Sequence, residues 1–146
     1  MLDLSKFAET LSELMINSNI TAPTLAKALG CGRATINRYL KGNKMPSVDM
    51  CVRMADYFQC TIDFLIGVAE YNQPHTFLPC PPFQQHFASK IENSKHKKSD
   101  IIKQANLTES AFYNWLRGDT TPSIESLANI AAFLGCSIDE LIGRIR

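Results

Sequence analysis

The sequence predicts an all-α chain built from one five-helix unit used twice. Three observations carry that expectation: an internal repeat, apolar residues at helical spacing between cap and stop residues, and a proline-rich break between the copies. A shift of 76 positions (83 − 7) lays Phe7–Gly67 on Phe83–Gly143 without a gap. Leu40-Lys41-Gly42 falls on Leu116-Arg117-Gly118, Pro46-Ser47-Val48 on Pro122-Ser123-Ile124, and Leu65-Ile66-Gly67 on Leu141-Ile142-Gly143. The chain therefore divides into residues 1–67, a linker 68–82 and residues 83–146.

Phe7, Leu11, Leu14 and Met15 share one face of a first helix. A second helix spans about Ala22–Leu29, with Pro23 tolerated in its first turn. Gly30 stands where that helix must end in a left-handed residue, and the second copy has Asn106 there, the next most permissive residue. The third helix covers Arg33–Lys41 and Glu109–Arg117, capped by Gly32 and Thr108 and stopped by Gly42 and Gly118. Ser47 and Ser123 cap a fourth helix, and Thr61 and Ser137 a short fifth, where Ser137-Ile138-Asp139-Glu140 has the form of a capping box. Two helices joined by a tight turn inside an all-helical unit of this size describe a helix-turn-helix.

Pro74, Pro79, Pro81 and Pro82 break the pattern between the copies. Tyr71, Phe77 and Leu78 make this linker too apolar for a solvated tether, so it is expected to pack on one of the domains. Fully extended, its fifteen residues reach about 46 Å at ~3.1 Å per residue.

No apolar run approaches the roughly 18–20 residues of a membrane span, and the first residues lack the form of a secretion signal. A cytoplasmic protein is expected. Cys31, Cys51, Cys60, Cys80 and Cys136 contain no C-x-x-C and read as small buried apolar residues, and His75, His86 and His96 form no ligand pair, so no metal or other cofactor is expected. Formal charge is +1 for residues 1–67, −1 for the linker and +1 for residues 83–146. Any nucleic-acid surface must arise from the arrangement of charges, since neither half is strongly basic.

The stretch Leu25-Ala26-Lys27-Ala28-Leu29-Gly30-Cys31-Gly32-Arg33-Ala34-Thr35-Ile36-Asn37-Arg38-Tyr39-Leu40-Lys41-Gly42, continued by Pro46-Ser47 and closed by Cys60-Thr61-Ile62-Asp63-Phe64-Leu65-Ile66-Gly67, resembles the XRE family, the lambda-repressor-like helix-turn-helix regulators of bacteria and phages. The resemblance covers both copies. It implies a sequence-specific transcriptional regulator, such as a repressor, with double-stranded DNA as partner, a homodimer as a further option, and attachment to the nucleoid when DNA is bound.

On this resemblance the third helix enters the major groove. Ile36 and Tyr39 would anchor it, while Arg33, Ala34, Thr35, Asn37 and Arg38 would face base edges. The guanidinium fork of Arg33 or Arg38 matches O6 and N7 of guanine, and Ala34 or Thr35 suits a thymine methyl. Thr21, Ala22, Thr24, Asn43 and Lys44 would hold phosphates. In the second copy the outward positions are Glu109, Ser110, Ala111, Tyr113 and Asn114, with Lys95, Lys97 and Lys98 as phosphate contacts just before the second helix. Two arrangements fit: both copies read DNA at half-sites about a helical turn apart, roughly 34–36 Å, or the second copy mediates packing or dimerisation through Phe112, Tyr113 and Trp115.

The rival from another class is a protein-interaction or antitoxin-like adaptor on the same fold, which the near-neutral charge favours and the outward arginines oppose. An enzyme is not expected: there is no P-loop, G-x-S-x-G, H-E-x-x-H or paired-carboxylate constellation. Once the two copies and the linker are assigned, no segment remains for sensing a small molecule.

Overall fold

The computed structural model describes residues 2–146, which form ten α-helices and no strand. They divide into two compact units, Leu2–Pro74 and His75–Arg146.

In the first unit α1 (Leu4–Asn17) starts at Asp3, whose carboxylate accepts from the Ser5 amide at 2.9 Å. Its buried residues Phe7, Ala8, Leu11 and Met15 follow the helical period, with Leu14 half-buried beside them. α2 (Ala22–Leu29) carries Pro23 in its first turn and closes at Gly30, φ 72°. There the Gly30 amide donates to the Lys27 carbonyl at 3.3 Å and the Cys31 amide to Ala26 at 2.9 Å. α3 (Arg33–Leu40) rests on both α1 and α2. α4 (Val48–Phe58), capped by the Ser47 hydroxyl, packs against α2 and α5 (Ile62–Leu65). The Arg53 guanidinium reaches from α4 to the Leu29 carbonyl at 3.0 Å and satisfies an acceptor left open at the end of α2.

The second unit repeats the plan with α6 (Phe83–Asn93), α7 (Lys98–Gln104), α8 (Glu109–Arg117), α9 (Ile124–Leu134) and α10 (Ile138–Ile142). The α7–α8 turn repeats the first one closely. Asn106 lies at φ 58°, its amide donates to Lys103 at 3.3 Å, and the Leu107 amide donates to Ile102 at 2.9 Å. Here the backbone conformation is held constant while the side chain changes from Gly to Asn, because the turn requires a left-handed residue and not a particular side chain. Thr108, Ser123 and Ser137 cap their helices, and the box at Ser137 and Glu140 forms.

Core positions correspond at the same offset with altered volume. Leu11, Ile36 and Tyr39 of the first unit become Phe87, Phe112 and Trp115, all buried. Phe87 and Phe112 meet edge-on at 6.2 Å, where an aromatic pair replaces aliphatic contact. Phe112 and Trp115 thus belong to the core of their own domain, which removes them from the expected dimerisation surface; Tyr113 stays half-buried.

The linker is divided rather than docked on one domain. Asn72 accepts the Thr61 amide at 3.1 Å on the first unit. On the second, the Leu78 amide donates to the Arg144 carbonyl at 2.7 Å and the Arg144 guanidinium lies 4.0 Å above the Phe77 ring. Residues 68–82 are therefore anchored at several points, and the extended reach of fifteen residues does not describe them. Tyr71, expected to pack, is 74% exposed, while Phe77 and Leu78 are half-buried.

The expectation of buried cysteines holds for Cys51 and Cys60. Cys31 and Cys136 are half-buried because each follows a helix-ending turn, and Cys80 is exposed between Pro79 and Pro81.

Candidate nucleic-acid interface

α3 owes its orientation to two buried side chains. Ile36 is fully buried, and Tyr39 meets Phe7 of α1 edge-on at 5.7 Å with its hydroxyl pKa pushed up by burial. On a helix of 3.6 residues per turn, fixing positions 36 and 39 inward directs 33, 34, 37 and 38 outward. Arg33, Ala34, Asn37 and Arg38 are exposed, and Thr35 is half-buried at the edge of the same face. Neither Arg33 nor Arg38 enters an ion pair among the described residues. Both guanidinium groups keep their donors for a ligand.

The other first-domain positions flank this helix. Thr21 precedes α2 without capping it; instead its hydroxyl lies 3.1 Å from that of Thr24, both exposed, while Ala22 is half-buried. The amides at the start of α2 are thus left without a side-chain cap. Asn43 and Lys44 are exposed, and the Asn43 amide donates to the Arg38 carbonyl at 3.0 Å, which fixes the loop directly to the end of α3.

The second domain holds α8 in the same manner, through buried Phe112 and Trp115, with α6 as its principal support. Glu109 and Ser110 are exposed, whereas Ala111, Tyr113 and Asn114 are half-buried. Asn114 accepts from the Arg117 guanidinium, whose Nε also donates to Asp119 at 3.1 Å.

The lysine run departs from expectation. Lys98 is the first residue of α7 rather than part of the loop before it, and its ammonium pairs with Glu92 of α6 at 2.8 Å, which raises its pKa. Lys95 and Lys97 are exposed, Lys97 stands at the N-cap with no acceptor to offer, and His96 lies against Phe133, ring centroids 4.5 Å apart.

Sequence reasoning missed Arg53, Asn72 and Asp119. The first two act through contacts between distant segments, invisible to periodicity. Asp119 was open to discovery, since it is the counterpart of Asn43 under the repeat.

Among the described residues no helix is long and apolar enough to cross a membrane. Residues 11–65 match the family described as Helix-turn-helix, and residues 90–146 the family described as Cro/C1-type HTH DNA-binding domain. No curated protein matches the chain. Among solved structures it is similar to a transcriptional regulator from Listeria innocua, at 25% identity over 66% of this chain and 83% of that one, with a TM-score of 0.41. The two family matches lie in tandem and together take in most of the sequence, one on each structural unit: the chain belongs to the helix-turn-helix proteins, as two such domains in one polypeptide, the second of the Cro/C1 DNA-binding type.

Proposed function

We propose that the chain recognises a specific duplex sequence by placing α3 of its first domain in the major groove. The observation that carries this is the pairing of buried Ile36 and Tyr39 with exposed Arg33 and Arg38 on one eight-residue helix. The inward pair holds the helix rigidly, and the outward arginines present planar forks that fit guanine O6 and N7. Asn37, Ala34 and Thr35 supply the remaining base-edge contacts. Thr21, Ala22, Thr24, Asn43 and Lys44 bracket the helix and set its register through phosphates. α8 of the second domain presents the equivalent face through Glu109, Ser110, Ala111, Tyr113 and Asn114. Such a regulator works in the cytoplasm on the nucleoid, with DNA as its partner and no catalytic role.

The test is selection of sites from random duplexes by the intact chain and by its Arg33→Ala/Arg38→Ala variant, each at two salt concentrations. A consensus that the variant loses, bound less tightly as salt rises, supports the reading. Absence of enrichment at low salt overturns it and assigns the fold to a protein-interaction or antitoxin-like role.

A further inference from the structure

The internal repeat supplies a built-in comparison between two helix-turn-helix faces. At equivalent positions Arg33 is replaced by Glu109, Arg38 by Asn114, Asn43 by Asp119 and Lys44 by Thr120. On the α8 side the cation retained is Arg117, the counterpart of Lys41, while Lys103 of α7 keeps the charge of Lys27. Its guanidinium is engaged twice within its own domain, by the Asp119 carboxylate at 3.1 Å and by the Asn114 side-chain oxygen.

That arrangement does little for folding. The Arg117 and Asp119 side chains are 59% and 60% exposed, and pairs so exposed add little stability. Its effect falls on ligand chemistry. A guanidinium cannot accept a hydrogen bond, so the atom of Asn114 facing Arg117 must be its oxygen. An asparagine reading adenine needs that oxygen to accept from the N6 amino group while its NH2 donates to N7. Asp119 meanwhile cancels the charge of Arg117, where the first domain sets the neutral amide of Asn43 beside the corresponding Lys41, and Glu109 places a carboxylate at the leading end of the helix. Both would face phosphates or base edges of a docked duplex. Lys98 adds no net attraction, being matched by Glu92 at 2.8 Å.

We propose that Glu109 and Asp119 hold the second domain's α8 face off duplex DNA, so that each chain reads a single half-site, through α3. The proposal rests on the reading of α3 given above. The α8 face keeps the geometry of a reader but carries Glu109, Asn114 and Asp119 where the first copy has Arg33, Arg38 and Asn43, while the exposed Lys95 and Lys97 lie before α7.

The experiment uses the full chain in the Arg33→Ala/Arg38→Ala background, which isolates the second domain. Duplex binding is measured against salt before and after adding Glu109→Arg/Asp119→Asn, the residues of the first copy at those positions. The background variant is expected to select no site. The charge-restored chain is expected to gain salt-dependent binding, with a slope of log affinity against log salt steeper by about 2, or roughly tenfold weaker binding between 50 and 200 mM. Selection of a defined site by the background variant overturns the proposal. So does a charge-restored chain that stays unbound while helical circular dichroism and Trp115 emission show it folded. Failure of the α3 reading looks different: intact chain and background variant then behave alike without a site, while the charge-restored chain still decides the gate.

Discussion

Arg144 reaches back to Asp139, Nη1 to Oδ1 at 2.8 Å, with neither side chain exposed to solvent. The same residue lies over the Phe77 ring and accepts from the Leu78 amide, so one side chain and its carbonyl fasten the incoming segment to the second domain. Its counterpart in the first copy is Val68, which shares only the backbone contact: the Val68 amide donates to Asp63 and the Arg144 amide to Asp139, both at 2.8 Å.

Truncating one partner of a buried pair strands the other charge. Arg144→Ala is expected to destabilise the second domain by about 3–5 kcal/mol, whereas Asp139→Leu/Arg144→Met recovers most of that loss. Trp115, the single tryptophan, sits in this domain and reports its unfolding in denaturant. Equal stability of Arg144→Ala and the intact chain would show the pair to be inert.

On α3, Arg33→Ala and Arg38→Ala are each expected to weaken binding to the selected site by about 1–3 kcal/mol and to relax specificity at one position. Lys44→Ala should weaken all duplexes alike and lower the salt slope by about 1. Titrations at two salt concentrations on cognate and scrambled duplexes separate the two behaviours.

The paired turns make a natural substitution series. Because Asn106 occupies φ 58° where Gly30 occupies 72°, Gly30→Asn is expected to be nearly neutral and Gly30→Ala to cost about 1–2 kcal/mol. A Cβ at Gly30 meets nothing nearer than the Arg53 guanidinium at 3.7 Å, so the cost is conformational. Amide exchange across α2 and α3 measures it, and equal protection in the two variants would contradict it.

Gly143 faces a harsher constraint. A Cβ there would lie 2.7 Å from the Pro81 ring and 3.1 Å from His86, at φ 85°, while one at Gly135 meets open space at φ 74°. Gly143→Ala should therefore lower the denaturation midpoint read by Trp115 clearly more than Gly135→Ala, by roughly 1–3 kcal/mol beyond the shared strain.

Hydrogen bonds from the Ser5 side chain and amide hold the Asp3 carboxyl below its ordinary pKa. A depressed folded-state pKa gives stability that is present above the unfolded value and lost as pH falls through the folded one. The first turn of α1 is thus expected to fray in acid, and Asp3→Asn, which keeps an acceptor, to remove that dependence. Exchange of the Ser5 amide against pH checks it.

The helices, and the caps of the third, fourth and fifth in each copy, were legible in the sequence because the signals are local. Apolar spacing, Ser and Thr caps and the Gly–Asn exchange at positions 30 and 106 act within a few residues of one another. The repeat added what a single copy lacks, an internal standard that marks position 106 as a backbone requirement. The outward face of α3 followed from the same period, since burying Ile36 and Tyr39 leaves Arg33 and Arg38 outside.

What only the tertiary structure decided depends on approach between distant segments. Proline content suggested a continuous linker, yet Asn72 is held by Thr61 and Phe77 by Arg144, partners 11 and 67 positions away. Phe112 and Trp115 read equally well as surface aromatics until the fold buried both, Phe112 against Phe87 and Trp115 against Phe112. Lys98 read as a free cation until α6 brought Glu92 within 2.8 Å. The sequence by itself determined the helices, the duplication and the outward face of α3, because each is written in neighbouring residues. The tertiary structure determined which charges are free to meet a ligand, because a charge is cancelled by what lies beside it in space.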